Sequence, residues 1–301
     1  MEKNQSKAMV LGLVAVLLWS TVATAFKLAL EHLTPVQLLA IASLVSLLVM
    51  GIVVFRQYSY VEIKHAWGAA PMRFAILGAI NPFIYYVILF QAYDLLPAQQ
   101  AQPLNYTWAL VLSLLAVPML GQSLTRADVV ALLVGDLGVL VISTKGDLLG
   151  LGFDSGLGVA LALLSTVLWA FYWILNAKND TPPFLSLFLC FLHGTPLVWL
   201  AMLMTDGMPT ELSGLGSALY VGMFEMGVTY MFWLSAMKVA THASRVSNLI
   251  FLSPFLSLIF IHYILGEELS IATFVGLAMI VSAVAVQQYA ASRKDATHAV
   301  S

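Results

Sequence analysis

The stretch AMKVATHASRVSNLIFLSPFLSLIFIHYILGEELS, residues 236–270, repeats the pattern of an earlier stretch of the chain. The earlier stretch is AYDLLPAQQAQPLNYTWALVLSLLAVPMLGQSLT, residues 92–125. Each begins at an alanine, runs through a polar patch into a long apolar segment, and ends in LGQSLT or LGEELS. The segments that follow, VVALLVGDLGVLVIST and TFVGLAMIVSAVAVQQ, again carry glycine and alanine. The recurrence predicts two similar halves, residues 1–150 and 151–301.

The composition indicates which solvent these halves face. Of the 301 residues, 61% are hydrophobic and 9% are charged, whereas soluble domains carry about 25% charged residues. So few charges cannot cover a surface in water, and we therefore expect an integral membrane protein in contact with the lipid bilayer. The net charge of −2 argues against a nucleic-acid partner, which would require a basic face.

Hydropathy divides the chain into ten apolar segments, each long enough to cross about 30 Å of hydrocarbon. They lie at residues 8–30, 35–55, 70–93, 98–119, 127–143, 156–176, 183–204, 214–237, 246–265 and 271–291. With a cytoplasmic N-terminus, every lysine and arginine except Lys27 and Lys145 falls on the cytoplasmic side. The distribution predicts ten spans, with both termini in the cytoplasm.

Five spans per half is an odd number, so the second half enters the membrane from the opposite side. The predicted fold is therefore an all-α integral membrane protein with ten transmembrane helices in two inverted five-helix repeats. Inverted repeats of this kind are typical of transporters with a central binding site near the bilayer midplane. A closed ten-helix core needs no partner chain, and we expect a monomer or a weak homodimer.

These features resemble a known family. Two five-helix halves, each with a proline-bearing span that ends in LG(E/Q)xL(T/S), resemble the drug/metabolite transporter superfamily in its EamA-type branch of bacterial exporters. Glu267 in LGEELS matches the family's glutamate, whereas Gln122 in LGQSLT argues against an essential carboxylate there in the first half. The run LNYTWAL, 104–110, is similar to a run of the aromatic amino acid exporters, although Ala109 stands where those often have proline.

The resemblance implies a multi-pass carrier of the bacterial inner (plasma) membrane that moves small organic solutes by alternating access. The sequence has no metal-ligand cluster, no HExxH or GxSxG motif and no Walker A motif, so neither an enzyme nor a bound cofactor or metal is expected. A membrane-embedded enzyme with paired aspartates fits poorly, because Leu133 replaces the first glycine of the GxGD-like pattern. A channel ringed by charges fits less well than a carrier with inverted halves.

One carboxylate stands inside the apolar run GMFEMGVTYMFW, residues 222–233. A charged Glu225 near the bilayer centre costs about 2.5–3.5 kcal/mol on insertion scales, so it should face the protein interior or a water-filled cavity. Glu225 could pair with the ammonium of a bound substrate, or carry a proton if it is neutral in one state and ionised in another. The alternative is a carboxyl that hydrogen-bonds to a neighbouring helix as a packing device.

Other polar residues inside the spans allow two interpretations each. Lys27, near the end of the first span, is expected to extend to the membrane interface, although Ser20, Thr24 and Lys27 could also form a polar stripe. Asp136 lies beside Gly135 and Gly138, and a packing or pairing role is predicted. His193 could line the cavity, but a buried histidine with satisfied hydrogen bonds is expected. His262, close to the end of its span, is expected at the membrane interface.

Polar and aromatic side chains gather at corresponding places in the two halves, which is the best sequence pointer to a binding site in a transporter. The patch around Pro103 in the first half corresponds to one around Ser244 and Ser247 in the second. Aromatic walls with a few amides suit a small amphipathic solute, including amino acids with apolar side chains. The predicted substrate-binding residues are Trp19, Asn81, Tyr85, Gln102, Asn105, Tyr106, Trp169, Trp173, Glu225 and Asn248.

The sequence therefore predicts a carrier that exports amino acids, aromatic ones included, or related metabolites. Protons are a candidate coupling ion, through Glu225. The alternative is an exporter of amphipathic drugs or organic cations, which the sequence does not exclude.

Overall fold

The computed structural model of the chain describes residues 3–121, 126–147, 154–177, 179–242, 245–246 and 248–298. Across these ranges the chain forms helices joined by turns, without a strand. The all-helical prediction is confirmed. The α-helices are α1 (Gln5–Leu30), α2 (Pro35–Gln57), α3 (Tyr60–Ala69), α4 (Pro71–Gly78), α5 (Tyr85–Leu95), α6 (Ala98–Tyr106), α7 (Trp108–Leu120), α8 (Arg126–Ser143), α9 (Gly156–Ala177), α10 (Pro183–Thr205), α11 (Leu215–Tyr220), α12 (Val228–Val239), α13 (Ser253–Leu265) and α14 (Ile271–His298).

Within the described ranges, six helical stretches are long and apolar enough to cross a membrane by length and composition. They are Gln5–Leu30, Pro35–Gln57, Pro71–Leu95, Ala98–Leu120, Gly156–Asn176 and Pro183–Thr205. Two shorter apolar helices cover Leu249–Leu265 and Ile271–Gln287. The remaining predicted spans are also helical, but 127–143 belongs to a helix with several charged residues and 214–237 is interrupted.

The interruptions occur where the sequence has glycine or proline. The predicted third span changes at Ala79–Ile84 to a π-helical segment, in which Asn81 has φ −134° and ψ 113° and precedes a cis peptide bond to Pro82. The predicted eighth span has a second π-helical segment, Val221–Glu225. Gly227 then leaves the helical conformation, with φ −119° and ψ −96°, before α12 begins.

The fourth predicted span is interrupted after Tyr106 and not at Pro103, where a proline would be expected to break the helix. α6 continues through Pro103 to Tyr106, and Thr107 separates it from α7. Because Pro103 has no N–H, the carbonyl oxygen of Gln99 cannot receive the usual helical hydrogen bond from the residue four positions later. The helix therefore keeps its direction but loses one backbone bond beside a set of buried glutamines.

The helices pack in a reciprocal pattern. α1 packs on α12 and α13, while α9 packs on α5 and α7. α2 packs on α10, and α8 packs along α14. The first helix of each predicted half, α1 or α9, therefore packs on helices of the other half. The interior of the molecule is built from both halves.

Glycines allow the closest of these contacts. A Cβ atom at Gly138 in α8 would lie 2.8 Å from the carbonyl oxygen of Gly276 in α14, and one at Gly276 would lie 2.6 Å from the carbonyl oxygen of Gly138. The two backbones therefore touch, as in other membrane helix pairs with small residues at their interface. Gly78 of α4 and Gly194 of α10 approach each other in the same way.

Replacing Gly138 by alanine is expected to lower the stability of the protein, because the new methyl group must displace the backbone of α14. Overpacking of this kind costs about 1–3 kcal/mol, which a thermal unfolding midpoint in detergent would detect. Gly216→Ala in α11 is the control, since nothing lies within 4 Å of its Cβ position. Equal midpoints for the two variants would show that α8 and α14 are not in backbone contact.

Candidate functional site

The carboxylate of Glu225 lies at the end of the π-helical segment, where the chain is about to leave the helical conformation. It is half-buried. Its Oε1 accepts a hydrogen bond of 3.1 Å from the hydroxyl of Tyr86, a buried residue of α5. Residues of both predicted halves therefore meet at this carboxylate.

Aromatic rings surround this position. Trp19 of α1 donates its indole N–H to the backbone carbonyl of Glu225 at 3.4 Å. The ring of Trp19 packs edge-on against Tyr230, with centroids 5.4 Å apart, and is tilted against Trp233 at 5.5 Å. We call Trp19, Tyr86, Glu225, Tyr230 and Trp233 the Glu225 centre.

A second aromatic group continues from Tyr86. Its ring lies 4.6 Å from that of Tyr85, and Tyr85 stacks on Trp169 of α9 at 4.7 Å. The Tyr85 hydroxyl lies beside Asn105, whose amide donates a 3.0 Å hydrogen bond to Ser165. The aromatic wall therefore extends from the Glu225 centre across α5 to α9 and α6.

The backbone around Glu225 adds polar groups to this wall. Ser46 of α2 donates to the carbonyl oxygen of Gly222 at 2.7 Å, which satisfies a group in the π-helical segment. Downstream, α12 starts at Val228, and its N-terminus has no side-chain cap. A helix N-terminus attracts negative charge. A carboxylate and an uncapped helix start thus lie three residues apart, and together they offer complementary charges to a zwitterion.

The structure brings five of the ten predicted site residues together, in two groups. Trp19 and Glu225 touch directly, and Tyr85, Trp169 and Asn105 form the neighbouring wall. The hydroxyl of Tyr106 lies beside Ser253 of α13.

The other predicted residues lie elsewhere. Asn81 is buried at the first π-helical segment beside Tyr172, not at Glu225. Trp173 is 38% exposed on the outside of α9, so only its edge contacts Trp169. Gln102 is buried on α6. Gln122, Ser244 and Ser247, together with the side chain of Asn248, lie outside the described residues.

Sequence reasoning missed part of the Glu225 centre. Tyr230 and Trp233 stand in the same run as Glu225, but their spacing does not reveal that both pack on Trp19 from another helix. Tyr86 is adjacent to the predicted Tyr85, and only the packing of α5 shows which of the two tyrosines reaches the carboxylate.

Lys27 is half-buried in the last turn of α1, and its side chain contacts the end of a neighbouring helix. Its ammonium donates to the carbonyl oxygens of Tyr93 (2.8 Å) and Leu96 (3.2 Å) at the end of α5. The last carbonyls of a helix have no intrahelical partner and carry partial negative charge. The ammonium of Lys27 satisfies two of them here.

Glu267, the glutamate of LGEELS, holds the other side of the same connection. Its carboxylate accepts from the backbone N–H groups of Ala98 (2.8 Å) and Gln99 (3.2 Å) at the start of α6. The amide of Gln99 also donates to the carbonyl of Glu268 at 2.9 Å. Both charges have the sign that the adjacent helix end favours. We call this arrangement the Lys27–Glu267 clamp.

The corresponding connection between α12 and the second-half patch has a related arrangement. Leu96 and Ala240 stand at the same place in the two repeats, four residues after Ala92 and Ala236. Lys3 and Gln5 hold the second connection, and we call this the Lys3–Gln5 clamp. Its hydrogen bonds join Lys3 Nζ to the carbonyl oxygens of Lys238 (3.1 Å) and Ala240 (3.0 Å), and the backbone N–H groups of Thr241 (3.0 Å) and His242 (2.9 Å) to Gln5 Oε1.

Three other ionisable residues inside the spans have surroundings of their own. Asp136 is exposed on the outer surface of α8, whereas its neighbours Gly135 and Gly138 are buried, so the predicted packing role belongs to the glycines. His193 contacts the carbonyl of Leu189 and accepts from Trp67. His262 is exposed, and its ring contacts the carbonyl of Glu267.

Comparison with known proteins agrees with the sequence resemblance. The model of the EamA-like transporter family matches residues 6–144 and 156–287. These matches cover most of the chain, which therefore belongs to this family, a family of transporters rather than enzymes.

Relatives and a solved structure extend this finding. The chain is 24% identical to "Uncharacterized transporter YvbV" of Bacillus subtilis, over 89% of this chain and 87% of that protein. It is 27% identical to "Protein PecM" of Dickeya dadantii, over 82% of each. A solved structure titled "Crystal structure of protein" has a TM-score of 0.59 and 22% identity, covering 96% of this chain and 99% of its own, and shows the fold alone.

Glu267→Gln is expected to destabilise the protein by about 1–2 kcal/mol, because α6 loses a charged acceptor at its N-terminus. Chemical or thermal unfolding in detergent would measure the loss. Glu268→Gln is the matched control, since that neighbouring side chain is exposed and its substitution should stay within about 0.5 kcal/mol. A loss of the same size in both variants would mean that Glu267 does not hold α6.

Proposed function

We propose that this member of the EamA-like transporter family is a secondary transporter that exports amino acids, aromatic ones included, or related metabolites by alternating access. The observation that carries the proposal is the Glu225 centre, a single carboxylate at a helix break inside an aromatic wall. Intramembrane carboxylates are rare, and they mark substrate or ion pathways in membrane proteins.

The proposal includes ten spans in two inverted halves, residues 1–150 and 151–301. The packing pattern supports it, because the most extensive helix pairs have counterparts when the two halves are exchanged. The packing of α1 on α12 and α13 corresponds to the packing of α9 on α5 and α7. The pairs α2–α10 and α8–α14 each join equivalent helices of the two halves, so exchanging the halves leaves them unchanged. The separate family matches to 6–144 and 156–287 support the same division.

The geometry suits an amino acid better than an anion. The ammonium of a bound amino acid would pair with Glu225, and the carboxylate of the same amino acid would approach the uncapped start of α12 at Val228. Its side chain would lie against Trp19 and Tyr230, or against Tyr85 further along the wall. Two opposite charges held a short distance apart select for a zwitterion over a neutral solute.

Alternating access requires that the two ends of the site open in turn. The Lys27–Glu267 and Lys3–Gln5 clamps hold corresponding connections near opposite ends of α1. Breaking one clamp while keeping the other would open the site to one side, with the halves moving as packed bodies. In this mechanism Glu225 holds a proton when the substrate has left, so protons are the proposed exchange partner.

The proposed setting is the bacterial inner membrane, with both termini in the cytoplasm. The Lys27–Glu267 clamp then lies toward the outside and the Lys3–Gln5 clamp toward the cytoplasm. A monomer or weak homodimer suffices, because residues of both halves within one chain supply the Glu225 centre. Nucleic acids have no role.

A second candidate is an exporter of amphipathic organic cations. The observation in its favour is that a carboxylate with several aromatic rings also suits a monocation, through ion pairing and cation–π contact. The rings concerned are those of Trp19, Tyr86 and Tyr230. Such a substrate would not need the helix start at Val228.

Glu225→Gln is expected to abolish counterflow of labelled amino acids in proteoliposomes, because the ammonium loses its partner. The wild type should exchange aromatic amino acids, with at least a tenfold loss in the variant, as for an essential ion pair of about 1.4 kcal/mol or more. Glu31→Gln, at an exposed carboxylate near the end of α1, should exchange normally. Exchange of a labelled organic cation and not of amino acids would favour the second candidate instead.

The same variants test the proton hypothesis. Wild-type exchange should change with external pH, whereas any exchange that remains in Glu225→Gln should not, because the titrating carboxyl is gone. Size-exclusion profiles of both proteins would establish that the variant is folded. An unchanged rate and pH profile in Glu225→Gln would make this residue a packing device.

A further inference from the structure

A column of polar side chains runs between α1, α6 and α13, next to the Glu225 centre. Ser20 of α1, which follows Trp19, donates to the hydroxyl of Ser253 of α13 at 3.3 Å. The hydroxyl of Tyr106, from α6, lies beside the same Ser253. Three helices therefore contribute one polar residue each to a single layer.

The direction of the three helices fixes what lies in the next layer. Lys27 in the last turn of α1 and Glu267 after α13 both reach the start of α6, so α1 and α13 are parallel and α6 is antiparallel to them. One helical turn toward the clamp means four residues forward in α1 and α13 and four residues back in α6. The residues one turn beyond Ser20, Ser253 and Tyr106 are Thr24, Ser257 and Gln102.

This second layer is buried and unsatisfied. Thr24 is 3% exposed, Gln102 is 6% exposed and Ser257 is completely buried. The oxygen atoms Thr24 Oγ1, Gln102 Oε1 and Ser257 Oγ have no hydrogen-bond partner among the described residues. Buried polar atoms in native proteins nearly always have a partner, so three of them in one layer indicate a bound ligand.

A backbone oxygen belongs to the same place. Pro103 has no N–H, and it leaves the carbonyl of Gln99, three residues before Gln102 in α6, without the usual helical bond. Backbone carbonyls of unwound helix segments coordinate Na⁺ in other transporters, and the carbonyl freed by Pro103 inside a continuous helix is an oxygen of the same type. The layer therefore offers two hydroxyl oxygens, one amide oxygen and one backbone carbonyl oxygen.

We propose that Thr24, Gln102 and Ser257, with the carbonyl of Gln99, bind a sodium ion. Uncharged oxygen atoms suit a hard monovalent cation, and the absence of a carboxylate among these four ligands disfavours calcium or magnesium, which take carboxylate ligands. A role of the ion in driving transport rests on the proposed function, but its binding does not.

The position of the ion gives it a mechanical consequence. The layer lies one helical turn from the contact between Trp19 and Glu225, toward the Lys27–Glu267 clamp. A sodium ion there joins α6 to α1 and α13, the helices that bear or receive the clamp. Sodium binding therefore favours the conformation in which this clamp is closed.

Thermal unfolding of the purified protein in detergent tests binding without any transport assay. Sodium chloride is titrated against potassium chloride and choline chloride at constant ionic strength. Sodium alone should raise the unfolding midpoint by about 2–4 °C near ten times its dissociation constant, in a saturable manner. An equal response to all three salts overturns the proposal and leaves the layer as a site for water only.

Variants locate the effect. Ser257→Ala and Thr24→Val should fold and lose the sodium-specific rise. Ser143→Ala is the matched control, because Ser143 has an equally buried and unpartnered hydroxyl at the end of α8, a helix that contributes no residue to the column. Retention of the sodium effect in both site variants, or its loss in Ser143→Ala, would overturn the assignment. If one site variant does not fold, the other and the wild-type titration still decide.

The counterflow assay separates this proposal from the proposed function. A sodium-specific midpoint shift in a protein that exchanges no amino acid would retain the ion site and remove the amino acid assignment. Amino acid exchange in a protein whose stability does not respond to sodium would retain the amino acid assignment and remove the ion site.

Discussion

The connection between α5 and α6 depends on two charges that the chain keeps inside an apolar molecule. Lys27 neutralises the carbonyl end of one helix, and Glu267 neutralises the N–H end of the next. A charged group inside a membrane protein needs a partner. The ends of every helix offer one, because their last carbonyl and first N–H groups have no intrahelical hydrogen bond. Because these two side chains come from α1 and from the end of α13, they tie four helices together, α1 to α5 and α13 to α6, and the polar column and part of the Glu225 centre lie among these helices.

Hydropathy predicted where the helices lie, because transfer of a segment into hydrocarbon is a sum over its own residues. The carboxylate of Glu225 was recognisable for the same reason, as the costly exception within its run. Which groups pair with it was not, since that depends on contacts between distant segments. Tyr86 and Lys27 illustrate this, because the partner of each is a residue or carbonyl more than sixty positions away.

Asp136 shows a different limit of sequence reasoning. Two glycines beside a carboxylate predicted a packed helix face, and Gly138 does pack on Gly276. The carboxylate, however, points away from that face, because Asp136 is two residues before Gly138 and therefore about 160° around the helix from it by the period of an α-helix. Periodicity indicates which residues share a face, but the sequence alone does not say which face is turned inward when both carry unusual residues.

The two clamps differ in the group that accepts from the backbone N–H groups. This difference bears on the side of the membrane to which the proposed carrier opens. Glu267 accepts with a carboxylate, whereas Gln5 accepts with a neutral amide oxygen. Gln5 Oε1 also accepts from the Thr241 hydroxyl at 2.8 Å. Because charge-assisted hydrogen bonds are roughly twice as strong as neutral ones, we still expect opening the Lys27 end to cost more than opening the Lys3 end. With the proposed orientation, the carrier at rest then opens more readily to the cytoplasm, where an exporter takes up its substrate. Binding of a cation beside the stronger clamp would increase the same bias.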